Sequence, residues 1–144
     1  MAKEVVMLTY IEWPAGTNRS SEFAGFSVEI DREKVASDVF PSGYKSVTPG
    51  VYTNTCKAKL RPTADNVFLK ILLQELDAGT DIAILTRKNS AAKSATNPEI
   101  TFSIAACFSP PLGGDFGALV EKDLDLHINS AVTWDDGTTP IVLP

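Results

Sequence analysis

The sequence predicts a mainly β domain: a sandwich or barrel of about seven antiparallel strands with one flanking α-helix at about 63–77. Three observations carry that expectation. Residues 117–134 alternate, with Ala118, Val120, Lys122, Leu124, Leu126, Ile128, Ser130, Val132 and Trp134 on one side and Leu119, Glu121, Asp123, Asp125, His127, Asn129, Ala131 and Thr133 on the other. A mostly apolar set alternating with a mostly polar one marks a half-buried strand. Shorter stretches at 26–31, 51–60 and 100–108 alternate in the same way, with turn residues between them. Only one stretch has helical spacing, and no repeat runs along the 144 residues, so a single domain spanning 1–144 is expected.

In chain order, residues 5–11 are a short apolar run with β-formers and read as the first strand. Trp13-Pro14-Ala15-Gly16-Thr17-Asn18 is dense in turn residues and reads as a loop. Phe26, Val28 and Ile30 then alternate with Ser27, Glu29 and Asp31, a strand with one wet face. Residues 32–50 carry scattered apolar side chains and two turn signals, Phe40-Pro41-Ser42-Gly43 and Thr48-Pro49-Gly50. They read as a long irregular connection with some strand character, an extended arm that packs on something, because a connection of this size is commonly functional or disordered and its aromatic and branched residues argue against disorder.

In 51–60, Tyr52, Cys56, Ala58 and Leu60 form the core face, interrupted by Asn54, and Thr53, Thr55, Lys57 and Lys59 the wet one. Pro62 ends that strand. The helix follows, with Thr63 as N-cap, Asp65 in the first turn, and Val67, Phe68, Leu69, Ile71, Leu72, Leu73 and Leu76 making a wide apolar sector. Gly79 suits the left-handed residue after its end. A short strand at 82–86 and a polar, mobile loop at 87–98 lead to the alternating strand 100–108. Ser109-Pro110-Pro111-Leu112-Gly113-Gly114 then turns into 117–134, so these two stretches are expected to pair as an antiparallel hairpin. Because strands ordinarily run ~5–6 residues, 117–134 either contains a turn near Asn129 and Ser130 or overhangs its own domain to meet a neighbour. A turn at 135–139 and a tail at 141–143 finish the chain.

Composition narrows the function classes. Hydrophobic content of 44% and charged content of 22% are ordinary for a globular protein. No apolar run suits a signal sequence or the ~20 residues of a membrane helix, so a cytoplasm-like site of synthesis and no membrane partner are expected. Net charge is −5, and the acidity lies at one end: from Glu99 onward seven acids face one base, Lys122, whereas residues 1–98 hold eleven acids and twelve bases. A nucleic-acid grip ordinarily needs a basic patch, so specific DNA or RNA binding is not expected.

Catalytic chemistry has no constellation to stand on, and no enzyme is expected. His127, the one histidine, sits among Asp125 and Asn129 on a wet face, with Cys107 the only strand-borne nucleophile to bring to it. Glu121, Asp123 and Asp125 space their side chains ~6.5 Å apart along a strand without the glycine and terminal glutamate of a calcium loop. Gly113-Gly114-Asp115-Phe116-Gly117 precedes a strand, leaving no helix terminus to hold phosphate. No cofactor or metal is implied. Cys56 and Cys107 read as reduced thiols on opposite faces of their strands, which disfavours a bridge within the chain.

The order of elements resembles a known family. A strand with an arm at 27–40 is followed by Gly43-Tyr44-Lys45-Ser46-Val47-Thr48-Pro49-Gly50 and an alternating strand. A helix, a short strand, a small-residue loop, the strand 100–108 and a Gly-rich turn come next. The last long strand ends in Ser130-Ala131-Val132-Thr133-Trp134-Asp135-Asp136-Gly137. Over about 23–138 this resembles the major tail tube proteins of tailed bacteriophages, whose fold is shared with the tubes of contractile injection systems.

The resemblance implies a structural protein made in the host cytoplasm and carried in the virion tail. Hexameric rings stack into a tube through which viral DNA is ejected, and paired strands from each subunit line the lumen. Glu121, Asp123 and Asp125 become candidate lumen residues, since like charge keeps DNA from sticking. Lys57 and Lys59 complicate that wall unless they pair with acids between subunits. Val35, Val39, Phe40 and Tyr44 become the apolar contacts of an inter-ring arm at about 32–50. Cys107, at a subunit boundary, becomes the candidate for an interchain disulfide, with Cys56 the other cysteine. Partners would be the chain itself, sheath, baseplate and tail-terminator proteins, and passing DNA without specific binding. Two other classes compete: the ring-forming tube of a bacterial secretion system, and a monomeric β-sandwich binding module, which calls for loop aromatics such as Trp13.

Overall fold

The computed structural model describes residues 8–37, 46–61, 67–110 and 122–144. Its strands are β1 (Tyr10–Glu12), β2 (Phe23–Ser37), β3 (Ser46–Leu60), β4 (Ile82–Arg87), β5 (Glu99–Ile104), β6 (Lys122–His127), β7 (Val132–Asp135) and β8 (Ile141–Leu143), with one helix, α1 (Val67–Ala78). They form two antiparallel sheets, ordered β1-β4-β5-β7-β8 and β2-β3-β6, that do not close into a barrel. The sandwich alternative is therefore the correct one. Alternation builds its interior. Phe26, Cys56, Ala58, Leu60, Leu124 and Leu126 from the smaller sheet meet Ile11, Ile82, Ile84, Phe102, Ile104 and Val132 from the larger in one buried cluster. Each large aliphatic or aromatic side chain so buried is worth about 1.5–3 kcal/mol in transfer free energy.

The antiparallel pairing expected between 100–108 and 117–134 forms in its outer half, where β5 pairs with β7 from Glu99↔Asp135 to Thr101↔Thr133 and Ile104 bridges Ile128, but it does not continue into β6. β5 lies between β4 and β7 in the larger sheet, while β6 is the neighbour of β3 in the smaller one. Over its described part, from 122 on, the long alternating stretch is two strands in two sheets, divided where a turn near Asn129 and Ser130 is one of the two expectations. The crossing is held by the end of β5. Ala105 N–H donates to His127 O (2.9 Å), Asn129 N–H to Ser103 O (2.8 Å) and Ser103 N–H to Ser130 Oγ (2.7 Å). The chain changes sheet without changing phase, because Leu124, Leu126, Ile128 and Val132 all point into the shared core. Alternation therefore survives a break in the strand. Past Ile104 the backbone leaves the ladder, although Ala106 and Phe108 still pack on the core. The supposed tail at 141–143 is β8, an edge strand on β7.

The segment 32–50 is more regular than its turn signals suggest. β2 and β3 are fifteen residues each, paired from Phe23↔Leu60 out to Ser37↔Ser46. Thr48-Pro49-Gly50 is not a turn but a register shift of one residue, opposite Arg32 to Lys34. Gly50 suits that close approach: a Cβ would lie 3.0 Å from Glu33 Cβ and 3.1 Å from Val35 Cγ2, so those side chains would have to give way. Arg32 clamps the irregularity, donating from Nε to Gly50 O (2.9 Å) with its guanidinium 4.9 Å from the Tyr52 ring centre. Pairing with β6 stops at Thr55↔His127, so beyond that row the hairpin overhangs the sandwich. Ile30, Val35, Val47 and Val51 are exposed on it, Val51 by 68%.

Helix α1 starts at Val67 in the described residues, and the expected N-cap Thr63 lies outside them. Only Phe68 and Leu72 are fully buried, and Val67 and Leu73 face solvent, so the buried stripe is narrower than the apolar sector. Gly79 follows with φ +69°. What holds the helix is Trp13, fully buried despite its turn-rich surroundings. Its ring centre lies 5.7–5.8 Å from those of Phe23, Phe68 and Phe108, and its Nε1–H donates to Glu75 Oε2 at 2.7 Å. The loop at 88–98 is tied by buried Asn97, which donates to Ala91 O (2.8 Å) and accepts from Asn89 N–H (3.2 Å), and by Lys93 Nζ on Asp135 Oδ2 (2.6 Å).

Glu75 makes this helix dock pH-sensitive. Burial raises its carboxyl above the ordinary value, against the opposing effects of the Trp13 N–H and the Arg19 charge. A raised carboxyl in the folded state binds its proton more tightly than in the unfolded chain. Its contribution is therefore full at low pH and lost as pH rises through the folded value. Glu75→Gln keeps the acceptor for Trp13 and removes the titration. Stability of the variant relative to the parent, from urea midpoints, should rise between pH 4 and pH 7; a flat or falling difference would contradict the assignment.

Candidate subunit interface

The outer face of the three-stranded sheet is assembled from every second residue of β2, β3 and β6. Register sets these residues in rows: Gly25, Lys59 and Asp123; Ser27, Lys57 and Asp125; Glu29, Thr55 and His127; then Asp31 and Thr53. Every member of these rows faces solvent, Thr55 only partly. The central strand carries the lysines and the two flanking strands the acids. Opposite charges directly across an antiparallel pair favour each other by roughly 0.2–1 kcal/mol, and Lys57 stands opposite Asp125 and Lys59 opposite Asp123 within the ladder of one chain. Counting the rows, four carboxylates outnumber two ammonium groups, and the face is net negative.

β2 and β6 are the outer strands of this sheet; among the described residues the β2 edge has no strand neighbour, and the β6 edge is taken by the end of β5 only at His127, which accepts from Ala105 N–H. An open edge presents a row of unpaired N–H and C=O groups, the template for another strand. β2 offers that edge over fifteen residues.

The sequence-derived candidates fall as follows. Asp123 and Asp125 share the exposed outer face of β6. Glu121 lies outside the described residues, as do Val39, Phe40 and Tyr44. Val35 is on the overhanging hairpin and 45% exposed. Cys107 is exposed and Cys56 buried, both as free thiols. Burial pushes the Cys56 thiol far up, leaving it protonated and out of reach of a neighbouring chain. Glu29 and Asp31 belong to the same face as Asp123 and Asp125 and were not singled out as candidates. The signal was there in the wet side of 26–31, but nothing local shows that it lies two strands from 122–127.

A cleft of about 310 Å³ lies at one end of this sheet, lined by Tyr52, Asn54, His127, Asn129, Ser130 and Pro144. Buried Asn54 Oδ1 has no hydrogen-bond partner. Among the described residues no group of three or more His, Cys, Asp or Glu side chains is placed to hold a metal ion, and no helix is long and apolar enough to cross a membrane. No protein-family model matches the chain, and no curated protein matches it.

Proposed function

We propose that this chain is a self-assembling structural subunit that builds stacked rings, the tail tube of a phage-like particle. The observation that carries the reading is the three-stranded sheet: open along the fifteen residues of β2 and along β6 up to His127, carrying a hairpin that runs on past the end of β6, and charged on its outer face. A long open edge is a hazard for a monomer and an asset for a ring, because cyclic closure removes edges altogether. In such a ring β6 of each copy adjoins β2 of the next, and the charged rows line the lumen. Each lysine is matched by an acid across the ladder, so the wall stays net negative and DNA passes without sticking. The overhanging hairpin, with Val35, Val47 and Val51 exposed, reaches the adjacent ring. Hexameric symmetry follows the family resemblance.

Two features weigh on the rival classes. A binding module needs loop aromatics at its surface, and Trp13 is buried in the core. A secretion-system tube has the same geometry and differs in what it conducts, which the nucleic-acid content of native particles separates. Negative-stain electron microscopy of the purified protein should show rings or tubes with a central channel. A dispersed monomer across a hundredfold concentration range would count decisively against self-assembly.

A further inference from the structure

The two sheets are unequal, and each is uncovered where the other falls short. Pairing with β6 ends at Thr55↔His127, and the hairpin of β2 and β3 runs on past that row. Alternation along β2 puts Ile30, Arg32 and Lys34 on the face that lower down carries Phe26 into the core, and Val47, opposite Ala36, joins them. Ile30 and Val47 are exposed there, and among the described residues that face of the overhang carries Arg32 and Lys34 and no acid. At the far end of the sandwich the larger sheet is the uncovered one. β5 meets the crossing beside the hairpin at Ile104, whereas its other end pairs Ile100 with Trp134. The core-facing row there runs Ile100, Trp134, Ile141 across β5, β7 and β8. Exposure grows toward the edge: Ile100 packs on the core, Trp134 is 36% exposed and Ile141 54%. In the turn that follows, Lys93 neutralises Asp135, and Asp136 accepts only from Thr138, N–H at 3.0 Å and Oγ1–H at 2.6 Å.

We infer that the hairpin of one copy covers the β7–β8 corner of a second, with Ile30 and Val47 laid on Trp134 and Ile141, and Lys34 beside Asp136. The inference rests on the self-assembly proposed above and names the surface that the hairpin reaches. A stretch of the smaller sheet with nothing beneath it meets a stretch of the larger sheet with nothing above it. Their contact repeats between copies the face-to-face packing that each copy has in its middle. Charge agrees with this pairing, because a basic face meets a turn whose remaining charge is an acid. The two surfaces are different and lie at opposite ends of the strands, so the contact is heterologous and does not close on two copies. It propagates along the strand direction, which is what stacking requires.

The test is cysteine cross-linking with a bismaleimide in a Cys107→Ser background, read on denaturing gels after assembly; Cys56 is buried. Val47→Cys and Ile141→Cys in one chain should give an open-ended ladder of dimers, trimers and longer chains, and each substitution alone only monomer. Both sites are exposed in the single copy, so neither change opens the core. Dimers from either single variant would mean that like surfaces meet, and overturn the head-to-tail contact. Assembled particles of the double variant that run as monomer overturn it as well, and both results leave the tube reading standing. Independently, Val47→Asp should raise the concentration needed for stacking by about tenfold, with unstacked rings still visible by electron microscopy. Stacking of that variant at the parent concentration counts against the contact in the same way. A parent protein that forms neither rings nor tubes removes both readings.

Discussion

Trp13→Ala is expected to cost about 3–5 kcal/mol of folding stability, much of the roughly 5–15 kcal/mol that holds a typical domain together. The indole is the largest fully buried side chain, and three phenylalanine rings close around it. Its removal opens a cavity between α1 and the sandwich and strands Glu75 without its donor. Trp13→Phe separates the two effects: the ring packing is largely kept while the hydrogen bond is lost, at about 1–3 kcal/mol. Urea unfolding followed by far-ultraviolet circular dichroism gives both values. A cost below about 1 kcal/mol for the alanine variant would mean that α1 is not docked on Trp13.

Ile104→Ala is the second large effect, about 2–5 kcal/mol. Ile104 is fully buried at the end of β5, where the larger sheet meets Ile128 across the crossing from β6 to β7. The matched control is Trp134→Ala, a larger truncation at a site that shares the alternation of 117–134 but is 36% exposed. If loss of Trp134 destabilised more than loss of Ile104, the chain would not cross between sheets as described.

The two substitutions bracket what local pattern carries. Residues 51–60 read correctly because their faces differ sharply: Cys56, Ala58 and Leu60 go inside, and Thr53, Thr55, Lys57 and Lys59 outside. Alternation reports which way a side chain points, not which strand lies beside it. That is why 117–134 looked continuous although its halves belong to different sheets. The polar pair Asn129 and Ser130 was the available sign, and Ser130 turns out to accept a backbone N–H from β5. Pro49 and Gly50 misled in the opposite sense. Their turn chemistry hid a strand, because an offset in a ladder calls for the same absence of a side chain as a tight turn. Trp13 sat among turn residues, yet its burial comes from side chains near positions 23, 68 and 108, which no short window sees. The candidate wall was half legible: Asp123 and Asp125 stood out, while their lysine partners and the acids of β2 come together only through non-local pairing.

Synthesis order gives the lysines of β3 a further consequence. The hairpin of β2 and β3 pairs residues close in the chain, with Ser37 and Ser46 at its far end, and hairpins of this kind close in microseconds. β6 is far downstream: Thr55 pairs with His127. A ribosome adding roughly 5–20 residues per second therefore leaves the β3 edge bare for seconds while neighbouring nascent chains expose the same edge. Lys57 and Lys59 stand on that waiting strand, and charged side chains, lysine above all, deter strangers from pairing along an edge. Before the last strands exist, these ammonium groups guard the unfinished sheet; once β6 arrives, Asp123 and Asp125 match them, and the strand that had to repel every copy of itself is sealed inside.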